Sequence, residues 1–134
     1  MSFSDILENK VLDHIFHKGG NTYTPATNLY VSLHVSDPGE AYSSGELPVS
    51  NGYARQAITF AAANNGAKAN YGDVTFGPAS GSAWAAVTHF GIWSTSAGTV
   101  PVNFLGSGAL SVSRTVADGD SAEFASGALS ITLT

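Results

Sequence analysis

From Trp84 to its C-terminus the chain alternates β-type residues in short, nearly uncharged runs. These begin with Trp84-Ala-Ala-Val-Thr-His-Phe-Gly-Ile-Trp93 and include the turn Ala117-Asp-Gly-Asp120. A period of two, cut every few positions by turn residues, is compatible with pleated strands and little else. The same stretch carries few groups that could move a proton or hold a metal, so binding or assembly is expected ahead of catalysis.

Composition points the same way. The chain has 134 residues, enough for one domain with a core that needs no covalent staples. Only 11% of residues are charged, against ~25% in ordinary soluble domains. Polarity therefore rests on Ser, Thr, Asn and Gly, whose hydroxyls and amides leave water at far lower cost than ions. Such a surface suits a crowded assembly. The net charge is −5, and the permanent cations Lys10, Lys18, Arg55, Lys68 and Arg114 are scattered, which argues against nucleic-acid binding through phosphates. With no cysteine there is no disulfide or thiolate metal site. No apolar run approaches the ~20 residues of a membrane helix, and Met1-Ser-Phe-Ser lacks the features of a secretory signal. Synthesis in the cytoplasm without membrane insertion is the expectation.

The N-terminus has a different period. Ser4 is placed as an N-cap, Asp5 and Glu8 in the first turn, and His17 and Lys18 in the last. Phe3, Leu7, Val11 and Ile15 fall on one line, Leu12 and Phe16 widen it, and Gly19-Gly20 supplies a stop. This predicts a helix within residues 1–20 that covers the β structure or a neighbouring subunit. From Leu29, the residues Leu29, Val31, Leu33 and Val35 alternate with Tyr30, Ser32 and His34, which predicts a half-buried strand with His34 directed off its apolar face. A turn at Ser36-Asp-Pro-Gly39 leads into a long loop over Glu40 to Gly52, and long ordered loops usually touch something.

Further strands are expected within 53–60, near 73–76, and at 87–93, 102–105, 109–116, 122–124 and 129–133, with 61–70 as a loop around Asn64-Asn65-Gly66. In 87–93, Val87, His89, Gly91 and Trp93 share one face while Thr88, Phe90 and Ile92 share the other. Both faces look apolar, as in a central strand. One helix followed by about eight short strands predicts a mainly β fold. The expectation is an antiparallel β-sandwich of jelly-roll type over residues 28–134, forming a single domain of residues 1–134 with one N-terminal α-helix.

Candidate chemistry is sparse. His14 and His17 could share a helix face as metal ligands, but no third ligand is placed, and solvated histidines are the simpler reading. His89 reads as a structural histidine hydrogen-bonded to backbone or Thr88. No Gly-x-Ser-x-Gly elbow is present, and Gly106-Ser-Gly108 and Gly81-Ser82 read as turns. The carboxylates Asp37, Glu40, Glu46, Asp73, Asp118, Asp120 and Glu123 sit at turns or loop edges rather than as a hydrolytic pair. Asp118-Gly-Asp120 with Glu123 lacks the further ligands of a calcium loop, so a tight hairpin with a capping Asp is expected. Trp84, Trp93, Tyr23, Tyr42, Tyr53 and Tyr71 are candidates for a sugar platform. Of these, Trp93 reads as core and Tyr42 as a contact residue. No catalytic, cofactor or metal site is assigned.

The runs Thr88-His-Phe-Gly-Ile-Trp93, Leu105-Gly-Ser-Gly-Ala-Leu110, Val116-Ala-Asp-Gly-Asp120 and Phe124-Ala-Ser-Gly-Ala-Leu-Ser-Ile-Thr-Leu133 together carry a resemblance, joined by Leu7-Glu-Asn-Lys-Val-Leu-Asp-His14 and Gly52-Tyr-Ala-Arg55. Across nearly its whole length the chain resembles a family of small tailed-bacteriophage virion proteins, described as tail-fibre-like or head-decoration proteins. The resemblance implies a non-enzymatic structural role in the virion after synthesis in the host cytoplasm, and it carries over no catalytic residue. A capsid decoration or cement protein is the first expectation, stabilising the shell through the major capsid protein or other virion proteins and through itself as a homo-oligomer. The alternative is a tail-fibre module that recognises a host surface glycan. Phe3, Leu7 and Val11 on the helix, with Tyr42 and Glu46 in the long loop, are the expected partner contacts.

Overall fold

The computed structural model describes residues 1–16, 23–42 and 44–133. It is mainly β, with one helix near the N-terminus and antiparallel pairing throughout the described sheets. In chain order the elements are β1 (Ser2–Phe3), α1 (Asp5–Phe16), β2 (Leu29–His34), β3 (Gln56–Ile58), β4 (Ala67–Ala69), β5 (Val74–Phe76), β6 (Trp84–Trp93), β7 (Phe104–Val116), β8 (Ala122–Phe124) and β9 (Ser130–Thr132). A main sheet has the order β1-β7-β6-β2-β3, and two ribbons pair β4 with β9 and β5 with β8.

The helix starts where its cap requires. The Ser4 hydroxyl accepts from the Leu7 N–H at 3.2 Å and donates to the Phe104 carbonyl at 2.7 Å, while the Ser4 N–H donates to the Leu105 carbonyl. One buried serine thus caps α1 and fastens it to β7. Phe3 belongs to β1 and not to the helix. Leu7 is the helix's buried residue, whereas Leu12, Ile15 and Phe16 are 53%, 57% and 74% exposed. The predicted apolar stripe exists, but most of it faces away from the sheet. His17, Lys18 and the Gly19-Gly20 stop lie outside the described residues.

One face of the main sheet forms the hydrophobic core. Val31, Leu33, Ile58, Phe90 and Ile92 meet Val74, Phe76 and Leu129, with Phe124 packed against them, so the two ribbons form a second layer over this face. Val87 joins this cluster although strict alternation from Phe90 places it on the opposite face. The reason is a register shift between Trp84 and Val87 and another between Val87 and His89, which rotate the strand.

Other departures from the sequence reading share a cause. Residues 104–105 and 109–116 are parts of one strand, with Val102 and Asn103 in a short 3-10 turn before it, and Gly106-Ser-Gly108 runs through its middle rather than turning. A Cβ at Gly106 would lie 2.3 Å from the Ser2 carbonyl oxygen, and one at Gly108 would lie 2.7 Å from the Phe90 ring. These glycines mark close approach inside a strand. The expected loop at 61–70 contains β4, whose three residues are too few to show a period. Ala117 to Asp120 does turn, with the Asp120 N–H donating to the Ala117 carbonyl, but it passes from the main sheet to the β5–β8 ribbon instead of closing a hairpin. Asp118 caps the Gly81 N–H at 2.9 Å.

Trp93, expected in the core, is fully buried. Trp93→Ala is expected to lower stability by roughly 3–5 kcal/mol, measured as a shift in the urea midpoint at unchanged slope.

Candidate functional site

The opposite face of the main sheet carries Ser32, His34, Gly91, Trp93 and Phe104, all fully or nearly fully buried. Alternation presented Ser32 and His34 as a solvent-facing side of a half-buried strand. Instead β2 is covered on both sides, because the Tyr42 ring of the long loop lies against His34, Trp93 and Phe104, while the same loop pairs beside the end of β2: the Leu47 N–H donates to the Leu33 carbonyl and the Val35 N–H to the Gly45 carbonyl. Val35, expected on the inner face, is 39% exposed where the strand ends.

An ion pair lies at the centre of this cover. Arg55 reaches Glu46 twice, through Nε to Oε1 at 2.8 Å and through Nη2 to Oε2 at 2.6 Å. Two further donors go to the Thr95 carbonyl at 3.2 Å and the Gly98 carbonyl at 2.7 Å. The guanidinium lies 3.7 Å above the Trp93 ring. Tyr53 donates to Glu46 Oε1 at 2.9 Å and accepts from the Leu33 N–H. One arginine therefore joins the 37–52 loop, the 94–103 connection and the sheet, with its charge neutralised by a bidentate carboxylate and its flat face on an indole.

The aromatic side of the site completes it. Tyr42 stands edge-on to Trp93 with centroids 4.7 Å apart and also meets Phe104 and His34. Trp93 Nε1 donates to the Ser32 hydroxyl at 2.9 Å, and that hydroxyl lies 2.7 Å from His34 Nε2. Only glycine fits at position 91, since a Cβ there would come within 2.8 Å of the Ser32 hydroxyl and 2.9 Å of His34 Nε2. Burial lowers the His34 pKa to about 4, against the opposing pull of the Glu46 carboxylate and the Ser44 backbone. Burial also raises the Tyr53 and Tyr42 phenols, helped by the same carboxylate.

This arrangement can fasten loops, and most of its polar groups are spent on one another, with His34 Nδ1 and Thr95 Oγ1 buried without a hydrogen-bond partner among the described residues. Burial keeps His34 neutral at pH 7, Glu46 is paired with Arg55, and the two phenols stay protonated. A depression of ≈ 540 Å³ over Tyr42, Glu46, Arg55 and Pro101 is rimmed by the two fastened loops. Among the described residues no group of three or more His, Asp or Glu is placed to hold a metal ion. His89 keeps the structural partner expected of it, with Nδ1 2.9 Å from the Thr88 hydroxyl. Of the six aromatics weighed as a sugar platform, Trp84, Trp93 and Tyr53 are buried, and only Tyr71 is largely exposed.

A family model described as podophage GP4 fiber I protein gp80 matches residues 2–132. The chain belongs to that family. As a member of the gp80 family it is a phage virion structural protein, its place is the virion, and it meets other virion components there. No curated protein shows significant similarity to it.

Within this gp80-family chain the five expected contact residues are dispersed. Phe3 sits half-buried on β1, Leu7 is buried, and Val11 is half-buried at the start of the exposed helix stripe. Tyr42 and Glu46 do come together, but their side chains engage Trp93 and Arg55 inside the chain. The sequence reading missed Arg55 as the organising residue. Its signal was an arginine amid alternating apolar residues in a chain with so few charges, since a cation in such a place needs a partner.

Arg55→Met is expected to cost roughly 3–5 kcal/mol, because it leaves the Glu46 carboxylate half-buried without its partner. Comparison with the Arg55→Met/Glu46→Leu double variant by urea denaturation should recover much of that loss. His34 also gives the protein an acid limit. Its folded pKa of about 4 lies below the ordinary 6.5, so its contribution is whole above pH 6.5 and falls away as pH drops towards 4. The loss is roughly 3 kcal/mol, and urea midpoints from pH 7 to 4 should fall less steeply in His34→Gln.

Proposed function

We propose that the protein is a non-enzymatic structural subunit of a podophage fibre, acting as one domain that docks on neighbouring virion proteins through the outer face of α1. The observation that carries this reading is the family match over residues 2–132 combined with the exposed Leu12, Ile15 and Phe16. Exposed apolar side chains this large, continuous with Val11 on a short helix, support a protein contact. Phe3 and Leu7 then serve by fixing the helix on β7, and Tyr42 and Glu46 by keeping the long loop rigid for its neighbours.

The low-charge exterior also supports the decoration reading, in which the same contacts would reach the major capsid protein. The family description favours the fibre. A structural position within the fibre is preferred to a glycan-binding tip, since the aromatic candidates are spent mainly on internal packing.

Gold-labelled antibody against the protein, viewed on intact particles, is expected to mark fibres; label spread evenly over the head would replace the fibre reading with decoration. Changing Leu12, Ile15 and Phe16 together to serine is expected to leave the urea midpoint within ~0.5 kcal/mol of wild type while abolishing incorporation into particles. Normal incorporation of the triple variant would remove the helix from the contact.

A further inference from the structure

We propose that acid releases the part of the long loop that carries Tyr42 and Glu46 from the main sheet, with His34 as the trigger, while the ribbon-side core stays folded. Nothing in this depends on where in the virion the chain sits.

His34 ends β2 and has no exposed surface. Its neighbours in register are His89 on β6 and Glu46 on the loop, and the Tyr42 ring stands edge-on to it. Nε2 lies 2.7 Å from the Ser32 hydroxyl, which also accepts from Trp93 Nε1. Nδ1 is buried without a hydrogen-bond partner among the described residues, and the Ser44 backbone favours the charged ring without completing a bond to it. A neutral imidazole tolerates one unmet nitrogen. An imidazolium must donate from both, and it carries its charge into a dry layer.

That charge finds no free counter-ion. Glu46 is the carboxylate facing His34, and both its oxygens are taken, Oε1 by Arg55 Nε and the Tyr53 hydroxyl, and Oε2 by Arg55 Nη2. Arg55 and His89 press against a charge on His34, while Glu46 is the one ion that favours it. Tyr42 and Tyr53, the other titratable groups facing the ring, stay protonated in acid. Arg55 and a charged His34 must then share one carboxylate, and lifting the loop lets water reach all three.

The loop is the layer that can give. Its Glu40 carboxylate accepts from the Ser2 hydroxyl at 2.7 Å and its Gly45 carbonyl from the Val35 N–H at 2.8 Å, besides the contacts of Tyr42 and Glu46 and the buried Pro38. From Leu47 onward the chain is anchored in the apolar core, where Phe76, Phe90, Ile92 and Leu129 carry nothing that acid can charge. Lifting the loop uncovers Trp93 and Phe104, which Tyr42 touches when closed. The open form binds a proton that the closed form refuses. As the pH falls from the ordinary 6.5 of His34 to its closed-state value of about 4, opening therefore gains on the order of a hundredfold.

Hydrogen exchange of the full chain, followed by NMR and corrected for the intrinsic rate at each pH, tests this. The Val35 amide and the Trp93 indole N–H report the loop side. The Trp84 indole N–H, bonded to the Asn51 carbonyl, and the amides of β8 report the ribbon side. Between about pH 7 and about pH 4 the loop-side protons are expected to lose protection on the order of a hundredfold while the ribbon-side protons keep theirs. Loss on both sides together would mean global unfolding and overturn the proposal. So would unchanged protection, which would mean that Glu46 neutralises the charge with the loop in place. His34→Gln, its fold checked by circular dichroism, is expected to keep its loop-side protection in acid, and His89→Gln to lose it as wild type does. Release that persists in folded His34→Gln, or that disappears in folded His89→Gln, would overturn His34 as the trigger. Should His34→Gln not fold, the ring-carbon titrations of the wild type decide, and release that follows His89 instead of His34 overturns the proposal.

Discussion

The bidentate pair between Arg55 and Glu46, seated on the Trp93 ring, is the interaction on which the second face of the sheet depends. Without it two long connections would have only scattered backbone bonds to hold them, and Ser32, His34 and Trp93 would open to water. A buried ion pair is seldom a net gain over well-packed apolar residues, because removing both charges from water costs about as much as their attraction returns. Its value lies in what it forbids. Only one placement of the 37–52 loop satisfies the guanidinium, the carboxylate, the Tyr53 hydroxyl and the Thr95 and Gly98 carbonyls together. The loop is fixed in place as a result.

The molecule thus has two unlike cores on the two faces of one sheet. The ribbon side is apolar and held by area alone, with Phe76, Phe90 and Phe124 in edge-to-face contact. The loop side is a polar and aromatic network in which nearly every group has a partner. Burial favours the first without specifying geometry, while the second specifies geometry at little net gain. A protein that must present a fixed shape to other virion components draws on both. Low surface charge fits the same role, since hydroxyl-rich surface is covered by a neighbour at modest desolvation cost.

Much of the fold was legible before any coordinates. Ser4 as N-cap, the helix that follows it, the strand at Leu29, the turn at Ala117–Asp120 and the burial of Trp93 all follow from local chemistry, and each is present. The errors cluster where local chemistry is ambiguous. Gly106 and Gly108 read as a turn because glycine serves turns and tight strand contacts equally well. Val87 was placed on the wrong face because a bulge leaves no mark on a period of two. Ser32 and His34 looked wet because alternation records polarity and not what lies above it.

The candidate site was less legible than the fold. Tyr42 and Glu46 were singled out, yet the reason they matter lies in Arg55, nine residues on from Glu46, and in Trp93, far along the chain. The sequence by itself determined the class of the protein: period-two runs cut by turn residues point to a mainly β, antiparallel fold. Tertiary structure alone decided which polar residues are buried and which apolar ones, such as Phe16 and Val112, are left outside. Periodicity is a property of neighbouring residues, whereas burial depends on what distant segments bring over them.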